Sequence, residues 1–226
     1  MTDPGGTSRT EPGTGGSLGV LGRFRAQPSR PVPGERCEMC AVAIGDEHAH
    51  VVNVEVRNLL CTCRACYLLF TRPGAGQGRY RAVPDRYLHL PAFALSAIAW
   101  DSLQIPVRMA FFFANSSLGR VVAFYPSPAG ATESLLPLES WQGLVDRNPV
   151  LATLEPDVEA LLVHGPRGAE SFDCFVVPID ACYELTGIVR RRWKGFDGGE
   201  EAWRDIGDFF ARLRARSRTS SPEATG

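Results

Sequence analysis

The sequence predicts an α+β protein: a small metal lobe of treble-clef or zinc-ribbon type, then an α+β domain with antiparallel hairpins and two C-terminal helices. Three observations carry this. Two Cys-x2-Cys pairs, Cys37-Glu38-Met39-Cys40 and Cys63-Arg64-Ala65-Cys66, stand 22 residues apart, a spacing that lets a hairpin bring four thiolates around one ion. Beyond them, β-branched and aromatic runs come in pairs separated by turn residues. The C-terminal stretch instead repeats its apolar residues at three and four positions, the period of an amphipathic helix.

Taken in order, residues 1–34 are rich in Gly, Pro, Ser and Thr and cannot bury enough apolar surface to order themselves, so a disordered tail is expected. They contain no signal-peptide apolar core, and no run in the chain reaches the length a spanning helix needs. The metal lobe and a Gly-rich linker are assigned to residues 35–80. Within it, His48–Val56 and Leu59–Cys61 read as a hairpin turning near Arg57-Asn58. Residues 64–70 read as a short helix stopped by Pro73, with Cys63 and Cys66 on its first turn, where free N–H groups and the helix dipole favour thiolates. The segment Pro73–Tyr80 superficially suggests a phosphate loop, but it follows no strand and opens no helix, and a flexible linker is expected.

The α+β domain is assigned to residues 81–216. Ile105–Phe113 and Arg120–Tyr125 read as strands joined by the turn residues Asn115–Gly119. A helix is expected over Leu138–Arg147, ended by Asn148-Pro149. Val158–His164 and Phe172–Val177 pair across Gly165–Gly168, with a helical alternative for Val158–Val163. Asp180 is expected to cap a helix running to Trp193. The last helix places Trp203, Ile206, Phe210 and Leu213 on one stripe, read as core packing. Residues 217–226 are expected to form a second disordered tail.

Cys37, Cys40, Cys63 and Cys66 are the metal ligands expected. Zinc is the default for four thiolates, and iron in a rubredoxin-like site is the alternative. Arg36, Arg57, Arg64 and Arg72 stand where they can offset the anionic complex. Cys61, His48 and His50 fall between the pairs. Four thiolates already satisfy the ion, so the histidines are expected to serve the strand, with a substitute ligand as the alternative, and Cys61 to be a buried thiol, with an alternative ligand or a redox partner as the other readings. Cys174 and Cys182 read as small buried hydrophobes. His89 and His164 belong to no nucleophile–base motif, so no catalytic residue is assigned and nothing argues for an enzyme.

The net charge of −1 counts against a nucleic-acid footprint, although Arg190–Arg192, Lys194 and Arg212–Arg218 are locally basic. Seven cysteines with metal-type spacing fit a reducing, cytoplasmic setting.

The knuckle with His48-x-His50 and Cys61-x-Cys63-x2-Cys66-Tyr67-Leu68-Leu69-Phe70 resembles an uncharacterised family of high-GC bacteria, often encoded beside nickel–iron hydrogenase genes. So does the stretch from Pro178-Ile179-Asp180-Ala181-Cys182-Tyr183-Glu184-Leu185 to Trp193-Lys194-Gly195. The resemblance covers about residues 35 to 216 and carries no established activity. It implies an accessory or maturation role, with a hydrogenase or its assembly factors as the protein partner. A zinc-ribbon nucleic-acid protein and an iron electron carrier or redox sensor are the competing readings.

Overall fold

A computed structural model of the chain describes residues 35–135, 138–166, 171–195 and 197–220. The expected tail at 1–34, part of the Gly165–Gly168 turn and residues 221–226 lie outside them. The fold class is α+β with antiparallel hairpins, as the sequence predicts, and its strands form two sheets.

The small sheet belongs to the cysteine lobe. Strands β1 (Ala49–Asn53) and β2 (Asn58–Thr62) pair antiparallel, and β3 (Tyr80–Ala82) adds to the other side of β1. The hairpin turns over residues 54–57, just before the expected point. There the Asn53 side-chain oxygen accepts the N–H groups of Glu55 and Val56, and Arg57 adopts a left-handed φ of 55°. Helix α1 (Arg64–Leu68) follows β2 directly.

The Gly-rich segment forms a 3-10 turn over Ala75–Gly78 that folds back on the lobe, in place of the expected flexible linker. Gly76 has a φ of 59°, and a Cβ there would stand 2.9 Å from the Phe70 ring, so this approach requires glycine. The boundary expected near Arg81 falls inside β3. Arg81 donates to the Pro156 carbonyl (2.6 Å) and pairs with Asp157 (3.3 Å), tying the lobe to the larger sheet.

The larger sheet contains β4 (Leu88–His89), β5 (Met109–Asn115), β6 (Arg120–Ser127), β7 (Gly130–Ser134), β8 (Glu159–His164), β9 (Asp173–Pro178) and β10 (Arg218–Thr219). Its order is β10-β4-β9-β8-β5-β6-β7. Both expected hairpins are present, and residues 159–163 are strand, not helix. The first hairpin starts at Met109 and not at the expected Ile105, because residues 106–108 form a bend that begins at Pro106, whose ring nitrogen has no hydrogen to donate to a ladder. Helices cover both faces. Phe111, Phe113, Leu162, Phe175 and Val177 pack against α4 (Ile179–Arg192) and α5 (Gly199–Arg216), together with Val52, Val54 and Leu59 of the β1–β2 hairpin. Ala110, Phe112, Leu161 and Val176 point the other way, towards Trp100 of α2 (Ala97–Ser102) and Trp141 and Leu144 of α3 (Leu138–Arg147). This two-sided burial explains why β5 is an unbroken apolar run.

Two further expectations change. Pro178, not Asp180, is the N-cap of α4, and Asp180 lies in its first turn. The first residues of the expected C-terminal tail are also structured. Arg218–Thr219 forms β10, parallel to β4, with Arg218 N–H donating to the Tyr87 carbonyl (3.0 Å). Cys174 and Cys182 are fully buried, as read.

Candidate metal centre

The first Cys pair sits on a tight turn. Cys37 N–H donates to the Val42 carbonyl (2.9 Å), Ala41 N–H returns to the Cys37 carbonyl (2.8 Å), and Ala41 adopts a φ of 62° without glycine. The second pair sits where β2 becomes α1. Cys63 is the N-cap of that helix, and its sulfur accepts the Cys66 N–H at 3.5 Å. The two segments are sewn together at Glu38 and Cys61. Glu38 N–H donates to the Cys61 carbonyl (2.9 Å), and Cys61 N–H donates to the Glu38 carboxylate (2.6 Å).

The four sulfurs of Cys37, Cys40, Cys63 and Cys66 therefore converge within 4.8 Å of one another. The Cys40 and Cys63 sulfurs are 3.7 Å apart. A tetrahedral ion with metal–sulfur bonds of about 2.3 Å needs its sulfurs about 3.8 Å apart, whereas a disulfide needs about 2.05 Å, so the donors fit a metal. The site can bind an ion such as zinc.

Its electrostatics point the same way. Burial pushes the Cys37 thiol up, but backbone groups of Cys63, Met39 and Cys40 outweigh it and bring Cys37 down to about 6. Cys66 moves oppositely, pushed up to about 12 by its contact with the Cys40 sulfur and by burial. One thiolate is accommodated and the next is resisted, as expected when anions share a site without a cation. Arg36 donates to the Ala41 carbonyl (2.9 Å) within the turn, and the Arg64 guanidinium lies 5.0 Å from the Tyr67 ring centre.

The structure also brings together three residues that the sequence left apart. On β1 and β2, His50 is directly opposite Cys61, and a ring nitrogen of His48, one of His50 and the Cys61 sulfur all lie within 4.8 Å of one another. His48 Nδ1 is 2.9 Å from the Gly45 carbonyl and His50 Nδ1 is 2.8 Å from the Asp180 carboxylate. Each contact requires a proton on Nδ1, so that in the neutral imidazole the lone pair is on Nε2. His48 Nε2 is buried with no hydrogen-bond partner. The alternation of His48 and His50 on one strand face was legible; Asp180, which comes from α4, was not.

Several of the other candidate residues are otherwise engaged. Arg192 pairs with Glu201 and Asp205, Arg212 with Glu184, Arg214 with Asp173, and Arg216 with Asp85. His164 stacks on Phe210 with ring centres 4.0 Å apart, and His89 contacts Arg214. A cavity of about 370 Å³ lies between the β1–β2 hairpin and the larger sheet, lined by Val52, Val54, Leu59, Phe113, Phe124 and Tyr183 among others. Among the described residues, no helix is long and apolar enough to cross a membrane.

No curated protein and no solved structure matches this chain. A family model does, over residues 36–217, which include all four cysteines of the cluster, His48, His50, Cys61 and Asp180. The chain therefore belongs to the family of unknown function DUF5947.

Proposed function

We propose that the chain is a non-catalytic, cytoplasmic metal-binding accessory protein that acts through protein–protein contacts in the maturation of a nickel–iron hydrogenase. The observation that carries the metal-binding part is the convergence of the Cys37, Cys40, Cys63 and Cys66 sulfurs. Four thiolates close a tetrahedral zinc and leave no position for substrate, which makes this ion a structural one. Its binding energy folds the lobe, which is too small to hold a core of its own.

The partner reading draws on the resemblance to proteins encoded beside hydrogenase genes, and on Val42, Leu68 and Leu69, apolar side chains exposed on the lobe. Seven cysteines without a disulfide support a reducing compartment. The acidic partners of Arg192, Arg212, Arg214 and Arg216 count against these side chains tracking a phosphate backbone.

Elemental analysis of the purified chain tests the metal. Zinc retained through chelating dialysis is expected, whereas iron with visible colour would favour the electron-carrier reading. Cys63→Ser should lose that ion and unfold the lobe; unchanged zinc and thermal unfolding would sink the assignment. Capture from the host cell tests the partner, with a hydrogenase subunit or assembly factor expected and neither recovered if the context is wrong.

A further inference from the structure

We propose that His48, His50 and Cys61 form a second metal site, distinct from the four-cysteine cluster, for a borderline divalent ion of the Zn²⁺ class. The inference goes beyond the structural-zinc reading and does not depend on it. Two nitrogens and one sulfur are a donor set that such ions prefer. Their donor atoms lie within 4.8 Å, and a tetrahedral ion needs them about 3.3–3.6 Å apart. The strands bring them most of the way, since His50 and Cys61 are directly opposed across the hairpin.

The orientation of the rings makes this more than proximity. Metal-binding imidazoles characteristically hand their remaining N–H to a carbonyl or a carboxylate, which fixes the tautomer and turns the lone pair to the ion. Both occur here: His48 to the Gly45 carbonyl and His50 to Asp180. The His48 side chain is only 9% exposed, and its Nε2 has no hydrogen-bond partner, a buried acceptor that a metal would satisfy. Carboxylates approach each ligand from outside: Glu35 is 3.4 Å from His48, Asp180 bonds His50, and Glu38 accepts the Cys61 N–H. They offset the net positive charge of a divalent ion on one thiolate and two neutral imidazoles.

Three protein donors leave a tetrahedral ion one position for water or a small anion. The four-cysteine cluster has no such vacancy, so any exchange or ligand chemistry in this lobe belongs to the second site.

Co²⁺ titration of the full chain, after dialysis against a chelator, tests the proposal. The wild type is expected to take up one Co²⁺ equivalent beyond its tightly held metal, with visible bands that shift when azide is added. Cys61→Ser and His50→Gln should each abolish that equivalent while keeping the tight ion and the circular dichroism spectrum. Asp180→Asn should weaken Co²⁺ binding by about 10–100-fold. Should His50→Gln fail to fold, Cys61→Ser and Asp180→Asn still decide the matter. No uptake by the wild type, or undiminished uptake by Cys61→Ser, overturns the site, and bands indifferent to azide overturn the open position. Cobalt uptake and a tight ion that both survive Cys63→Ser, with uptake lost in Cys61→Ser, would overturn the four-thiolate reading and leave this one standing.

Discussion

Glu159 is 1% exposed, and the Arg86 guanidinium binds both of its oxygens while also donating to the Thr153 carbonyl (2.9 Å). Such a pair contributes little beyond an apolar substitute, but breaking it strands a buried charge. Arg86→Met is expected to cost about 3–5 kcal/mol in urea unfolding, and the double variant with Glu159→Leu should recover much of that loss. Gly198 offers a different single-residue test. It has a φ of 87°, and a Cβ there would lie 2.8 Å from the Trp193 ring. Gly198→Ala should therefore lower stability by about 1–2 kcal/mol from backbone strain alone, read as a reduced midpoint with an unchanged m-value. At this scale the sequence reveals chemistry that repeats locally. Cys37/Cys40 and Cys63/Cys66 announce themselves by spacing, but the link from Asp180 to His50 spans 130 residues and leaves no local mark.

The hairpins were legible because strong turn residues separate β-rich runs: Asn115–Gly119 between β5 and β6, and the residues around Gly165 between β8 and β9. The elements missed are β3, β4, β7, β10 and α2, all six residues or shorter. Such segments hold too few residues to establish a period, and they form because a longer neighbour supplies the pairing edge, as β9 does for β4. Asp180 shows a related failure. A residue with the chemistry of a helix cap sits inside the first turn, where one carboxylate oxygen meets His50 and the other accepts the Ala181 N–H. The small sheet touches the larger core only along one side, through residues such as Val52 and Leu59, whereas β5 and β8 are packed on both faces, and the proposed metal is expected to supply the rest of its order. On metal removal, amide hydrogen exchange is expected to accelerate first in β1, β2 and α1, with β5 and β8 still protected. Simultaneous loss in both sheets would show one cooperative unit instead.

For the whole molecule, acid is the expected weakness. Burial lowers His164 from its ordinary 6.5 to about 4, and burial with Arg214 nearby also lowers His89. A depressed histidine stays neutral in the folded chain while the unfolded chain takes up a proton. Stability is therefore unaffected above about pH 6.5 and falls as the pH drops towards 4. For His164 the loss across that window is on the order of 3 kcal/mol. His164→Phe should flatten this part of the profile in chemical denaturation at pH 7, 6 and 5.

The contact between His50 and Asp180 also bears on the order in which the molecule is made. Residues 37–66 leave the ribosome long before residue 180, and both cysteine knuckles with their hairpin are complete by then. A nascent chain can fill the four-cysteine centre while α4 is still unsynthesised, whereas His50 acquires its carboxylate only after α4 has docked. The two proposed centres thus differ in timing as well as in ligands: the residues of the first are all in place before α4 is made, and those of the second only once α4 has docked.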